Sequence, residues 1–376
     1  MSETRPVLQT ELCDVLGVEY PIIQSGMGGV AGPELAAEVC NAGGLGVIAG
    51  LLPGPDQLQA SIRELRERTD RPFGVNLLLL PEVWDPQPTS GLDVELVERV
   101  HTIANRLRED LGLEPLTERP PTVPQLVDAA FDVIVEERVP VFSAGLGDPG
   151  PDVTARLHEA GIRTVVMVTN SGDARRAVDS GADVVVAQGM EAGGHRSHFE
   201  MAPEKTLRDL GTFTLVPEVV DAVDVPVVAA GGVIDGRGLV AALALGAMGV
   251  LMGSRFLVTR ESMAPEIHKK RLLEGRGEET LVTAGLTGRS ARVVENAIAN
   301  AWADVTDVLP FPAQFLVNAE VFALGESGNE PEHLPLWGGQ VIGRIADIPW
   351  AGDVVADTVR QAVGLLTDRI AVRAKE

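Results

Sequence analysis

The chain has 376 residues, 45% apolar and only 4% aromatic, so it carries enough aliphatic surface to offset ordering entropy, which excludes wholesale disorder. Its 31 basic and 54 acidic side chains leave a net charge of −23, which repels phosphate backbones and anionic bilayers and argues against nucleic-acid and membrane partners. Two cysteines, Cys13 and Cys40, support neither a disulfide framework nor a cysteine-based zinc site. The opening MSETRPV has no apolar signal core. An uncharged stretch of 17 residues, Gly238–Ser254, is broken by Gly246 and Gly249 and reads as helix, turn and strand rather than a membrane span. A soluble, cytoplasmic protein is therefore expected.

In chain order, eight short runs read as buried strands: Tyr20–Ser25, Leu45–Gly50, Phe73–Leu79, Val139–Gly145, Arg163–Thr169, Val184–Met190, Pro226–Gly232 and Gly249–Ser254. They are apolar on both faces, as parallel strands covered on both sides must be. Helices are expected between them at Pro33–Ala42, Pro55–Arg68, Pro151–Ala160, Asp173–Ser180 and Gly236–Leu245. Several start at proline, whose fixed φ suits a first turn, and stop at glycine. Repeated strand–helix alternation argues for an α/β fold of the (β/α)8 TIM-barrel type, with an open doubly wound sheet as the alternative. The barrel is expected to occupy residues 12–260, interrupted by an insertion at about 85–135 with helices Val94–Asp110 and Pro124–Glu137. Residues 261–376 read as a smaller, mostly helical extension, a lid over the barrel mouth that carries Trp302, Trp337 and Trp350 and offers a face for a homodimer.

Barrel chemistry sits at the C-terminal ends of the strands. Those ends carry Gln24-Ser25-Gly26-Met27, Asn76, Ser143-Ala144-Gly145, Thr169-Asn170, Gln188-Gly189, Gly231-Gly232 and Gly253-Ser254. Amides and bare backbone can read a flat heterocycle, although a buried amide is as often a structural group closing a loop. The seventh and eighth strand ends are where such barrels bind phosphate through backbone N–H groups, which makes Gly231-Gly232 and Gly253-Ser254 the expected phosphate loops. After the sixth strand, Gln188-Gly-Met-Glu-Ala-Gly-Gly-His195-Arg196 is a glycine-rich loop that can present His195 to a ligand as a proton acceptor and donor. His195, His198 and Glu200 lack a fourth partner, so no metal is expected. Gly145-Leu-Gly147-Asp-Pro-Gly150 fits a dinucleotide fingerprint, but no acidic residue follows at the next strand end.

Together these segments resemble the nitronate monooxygenase family, formerly 2-nitropropane dioxygenases. The resemblance runs from about Leu12 to Gly343. It is carried by Pro21-Ile-Ile-Gln-Ser-Gly-Met27, Asn41-Ala-Gly-Gly-Leu-Gly46, Gly74-Val-Asn76-Leu and the Gln188–Arg196 loop. Further on it is carried by Ala230-Gly-Gly-Val-Ile-Asp-Gly236-Arg-Gly, Gly246-Ala-Met-Gly-Val-Leu-Met-Gly-Ser254-Arg-Phe and Thr287-Gly-Arg-Ser-Ala-Arg292. The resemblance implies an FMN-binding barrel with a helical second domain. It implies that Asn76, Gln188, Gly193, Gly232 and Leu251, Met252, Gly253 and Ser254 hold FMN. Gly231, Gly232, Gly253 and Ser254 would lie at its phosphate, and Gln24, Gly26 and Met27 beside the isoalloxazine. His195 would be the catalytic histidine. Two positions depart from the family text: Gly26 stands where proline usually precedes Met, and Gly-Ser stands where Gly-Thr usually closes the eighth-strand loop.

The implied reaction is oxidation of an alkyl nitronate with dioxygen to a carbonyl compound and nitrite. Flavin-dependent enoyl-acyl carrier protein reductases and NAD(P)H:quinone reductases resemble the chain in the same loops. An NAD(P)H-dependent FMN reductase acting on an enoyl thioester or quinone is therefore the alternative. A third reading is a phosphate-ligand barrel without flavin.

Overall fold

The computed structural model describes residues 8–50, 54–200 and 209–369. The opening residues 1–7 and the end of the expected extension, 370–376, lie outside them. In chain order the strands are β1 Ile22–Gln24, β2 Val47–Ala49, β3 Gly74–Leu78, β4 Val141–Gly145, β5 Arg163–Val168, β6 Val184–Gln188, β7 Gly194–His195, β8 Val227–Ala230, β9 Gly249–Met252, β10 Thr280–Thr283 and β11 Ala291–Val294. Eight of them form one parallel sheet in the order β1-β9-β8-β6-β5-β4-β3-β2. A bridge between Ile23 and Leu45 joins its two ends and closes a TIM barrel. The eight strands fall within the eight predicted runs, shortened at their ends.

Strand alternation builds two hydrophobic layers. Along β6, Val184 and Val186 pack inside the barrel with Ile23, Val141, Val165, Val228 and Leu251. Val185 and Ala187 pack outside, against the helices. The helix Glu11–Leu16 brings Leu12 and Leu16 into the interior cluster. Each fully buried aliphatic side chain of this kind contributes roughly 1.5–3 kcal/mol.

Gln24 has a part in closure. It is fully buried, its Oε1 accepts from Val47 N–H at 3.0 Å, and its Nε2 donates to Val47 O at 3.1 Å and to Ser25 O. The amide thereby stitches β1 to β2, where the ladder itself is thinnest.

The insertion and the C-terminal region share a second core. Val97, Val100 and Ala104 from the helix Val94–Asp110 pack with Trp302 and with Val317, Val321 and Phe322 from the helix Ala313–Gly328. Arg108 and Glu320 link the same two helices at 2.5 Å. The last long helix, Ala351–Gly364, instead places Ala351, Val355, Val359 and Ala362 in the outer barrel layer against the helices Pro33–Asn41 and Gly236–Ala244. The region read as mostly helical also contains β10 and β11, an antiparallel pair that continues onto β7. These strands are four residues each and gain their partners only across the fold, so local periodicity does not announce them. Among the described residues no helix is long and apolar enough to cross a membrane; Gly238–Ser254 divides into the end of one helix, a turn and β9.

Candidate active site

The C-terminal ends of the barrel strands form one mouth. Parallel register sets Asn76 beside Ser143 and Gln188 beside Ala230. Asn76 Nδ2 donates to Ser143 O at 3.2 Å and contacts Ser143 Oγ at 3.1 Å. A Cβ at Gly26 would lie 2.5 Å from Asn76 Cβ. Close approach to Asn76 thus accounts for the glycine at 26.

His195 leaves the loop after β6 on the short strand β7, paired with Ala291 of β11. Several contacts hold this loop. Gln188 Nε2 donates to His195 O at 2.9 Å, and its Oε1 accepts from Ser197 N–H at 2.9 Å. Gln188 therefore spends its amide on positioning the histidine segment. Arg196 Nε donates to Asp209 at 2.7 Å, and His198 bridges Asp209 and Thr169 at 2.7 Å on each side. Burial alone would raise the Asp209 pKa, but the His198 hydrogen bond and the Arg196 charge outweigh it and hold the carboxyl below its ordinary value. From above, Gly338 and Gly339 press on the loop: a Cβ at Gly193 would lie 2.5 Å from Gly339 N.

The His195 ring is half-buried between two aromatic rings from the C-terminal region. Trp337 lies at 5.2 Å and Phe311 at 6.2 Å, edge-on. Its Nε2 stands 2.9 Å from Thr287 Oγ1. Burial, and secondarily the Arg289 cation, push its pKa down to about 4. The imidazole is thus neutral at neutral pH and can accept a proton or a hydrogen bond.

The ends of β8 and β9 present bare backbone to the mouth. Gly231 and Gly232 hold left-handed conformations, φ 96° and 77°, which favour glycine. Gly253 is different. Its φ of −100° suits any residue, and a Cβ there would meet no atom closer than Met27 Sδ at 3.8 Å. Nothing in the protein demands glycine at 253, whereas a ligand pressed against its backbone would. Ser254 opens the short helix Ser254–Leu257, and its Oγ accepts from Gly339 N–H at 3.0 Å, which leaves the hydroxyl hydrogen free to donate. An open, glycine-lined backbone with a hydroxyl beside it fits a phosphate.

The structure therefore gathers His195, Asn76, Gly26, Met27, Gly231, Gly232, Gly253 and Ser254 around the mouth. Gln24, expected beside a flavin ring, is buried and turned to Val47. Gln188 and Gly193 support the histidine loop. Leu251 and Met252 are buried, one in the inner and one in the outer layer, so only their backbone can face a ligand. The sequence reading missed Thr287, Arg289, Phe311 and Trp337 as site residues. For the first two a signal existed, because both lie in the Thr287–Arg292 segment that stood out as a motif.

Comparison with known proteins adds to this geometry. Residues 9–361 match the family model described as nitronate monooxygenase. A protein of Staphylococcus saprophyticus described as a probable nitronate monooxygenase is 37% identical over 362 residues, covering 94% of this chain and 98% of its own. Among solved structures, the nitroalkane oxidase of Streptomyces ansochromogenes superposes with a TM-score of 0.85 at 33% identity, covering 95% of this chain and 99% of its own. FabK of Thermotoga maritima superposes with a TM-score of 0.74 at 29% identity, covering 96% and 97%.

Proposed function

The chain belongs to the nitronate monooxygenase family, and on that premise we propose that it binds FMN at the barrel mouth and oxidises alkyl nitronates with dioxygen to a carbonyl compound and nitrite. The observation that carries this reading is the neutral His195 at the mouth. It is held on Thr287 between Trp337 and Phe311, in the same mouth as the glycine backbone of Gly231-Gly232 and Gly253 and the Ser254 hydroxyl. These groups and the Asn76 amide are chemically suited to FMN: open backbone and a hydroxyl for the phosphate, an amide for the ring edge. Bound FMN would supply the electron acceptor and the route to dioxygen.

The protein's own part is binding, orientation and proton handling. His195 takes the α-proton of a neutral nitroalkane, which leaves the nitronate in place. Thr287 fixes the ring from the Nε2 side. Trp337 and Phe311 keep water from the imidazole, which preserves its neutral form. Gln188 sets the height of the histidine segment by grasping the backbone on both sides of Arg196.

The test is His195→Asn in the flavin-loaded enzyme, with nitrite and dioxygen followed together. Asparagine keeps a polar group of similar reach but cannot take the proton. Turnover of a neutral nitroalkane is expected to fall by about 10²–10⁴ with FMN still bound. Unchanged turnover would remove His195 from the reaction.

A further inference from the structure

Arg289 is only 3% exposed. Its guanidinium offers five N–H donors, yet among the described residues its side chain makes no hydrogen bond. Nε is buried without a partner. The counter-charge, Glu82 Oε2, stands 3.7 Å from one terminal nitrogen, too far for a hydrogen bond, and is itself a buried orphan. A buried cation with unfilled donors is costly and calls for an occupant.

Its position says what that occupant meets. The Arg289 backbone is tied to Thr287, whose hydroxyl donates to Arg289 O at 3.2 Å and contacts His195 at 2.9 Å. Its guanidinium reaches Glu82 on the short helix Pro81–Trp84, which follows β3 and Asn76. The side chain thus runs from the histidine side of the mouth toward the β3 side. Its charge is felt at the imidazole, where it disfavours protonation.

We propose that Arg289 is the group that recognises the substrate's paired oxygens, a fork for the planar two-oxygen anion of a nitronate. The proposal rests on the function proposed above. A nitronate carries its charge on two oxygens of one planar nitrogen, the same outline as a carboxylate, and a guanidinium meets that outline with two parallel hydrogen bonds. A neutral nitroalkane has the same two oxygens but no net charge, so the fork holds the anion more tightly. By stabilising the anion it also eases removal of the α-proton by His195. Glu82 partly neutralises the fork and competes with the substrate for it.

Calorimetric titration of the flavin-loaded enzyme with sodium propionate, a redox-inert anion of the right shape, tests this, with sodium chloride as the control. Propionate is expected to bind where chloride does not. Arg289→Met should weaken it by about tenfold or more, and Arg289→Lys, which keeps the charge but loses the fork, by less. Glu82→Gln removes the competing carboxylate and should tighten propionate several-fold, which decides the question even where Arg289→Met fails to fold. Equal affinity in the wild type and Glu82→Gln, or in the wild type and a folded Arg289→Met, would overturn the proposal and leave Arg289 as the structural partner of Glu82. Arg289-dependent propionate binding in an enzyme that turns over no nitronate would overturn nitronate as the occupant and with it the proposed function. Nitronate turnover with Arg289-indifferent propionate binding would overturn the fork alone.

Discussion

His195 Nε2 and Thr287 Oγ1 stand 2.9 Å apart although 92 residues separate them in the chain. The contact selects a tautomer. The threonine hydroxyl has one hydrogen, and it donates to Arg289 O at 3.2 Å. Its oxygen is then an acceptor for His195, so Nε2 carries the ring hydrogen and Nδ1 is the free base. Thr287→Val keeps the shape and removes the acceptor. Turnover should fall roughly three- to tenfold, the worth of one such hydrogen bond. Thr287→Ser should restore it. A valine variant with wild-type rates would mean that the tautomer is set elsewhere.

Stability should depend on pH through two histidines. His195 and His268 are both pushed down to about 4, chiefly by burial. His268 is 4% exposed, and its Nε2–H donates to Trp337 O at 3.0 Å. In the unfolded chain both titrate near the ordinary 6.5. Between those values the unfolded state binds more protons than the native one, so stability falls as pH drops from 6.5 toward 4. Thermal melts across this window should show the decline. His268→Gln, which can still donate to Trp337 O, should make it shallower. A slope unchanged by the substitution would mean that His268 is protonated in the native state.

At Gly253, protein packing and ligand binding make different demands. With φ −100° and no atom closer than 3.8 Å to an added Cβ, Gly253→Ala should change stability by no more than about 0.5 kcal/mol. FMN affinity, measured by fluorescence of released flavin, should drop about tenfold or more, because the methyl group occupies the space against the backbone. Undiminished affinity would move the phosphate away from this loop.

Trp302 ties the C-terminal region to the insertion. It is fully buried in the second core, and Gly285 lies so close that a Cβ there would stand 2.2 Å from Trp302 Cβ. Trp302→Ala should cost about 3–5 kcal/mol. Because β11 of the same region pairs with His195, activity should decline with it. A loss below about 1 kcal/mol in urea melts would show that this core contributes little to folding.

Much of the barrel was legible from the sequence because its signals are local. Runs such as Val184–Gln188 are apolar on both faces, and strand–helix alternation leaves few topologies. His195 drew attention for a local reason too: a lone histidine is more often structural or superficial, but a glycine-rich loop after a strand end can present it to a ligand. The partners of that histidine were not legible. Thr287, Arg289, Phe311 and Trp337 come from a region without strong periodicity, and β10 and β11 exist because β7 is there to pair with. Amides were the other difficulty. Gln24, Asn76 and Gln188 all occur at strand ends, but only geometry separates Asn76 at the mouth from Gln24, which closes the barrel, and Gln188, which carries the histidine loop.

The most direct measurement is anaerobic mixing of the purified, flavin-loaded enzyme with an alkyl nitronate and, separately, with NADH and NADPH, following flavin absorbance. Rapid bleaching by the nitronate is expected, with none at a comparable rate by either nicotinamide. Bleaching by NADH or NADPH with no response to the nitronate would contradict the proposed function and assign the mouth to a reductase.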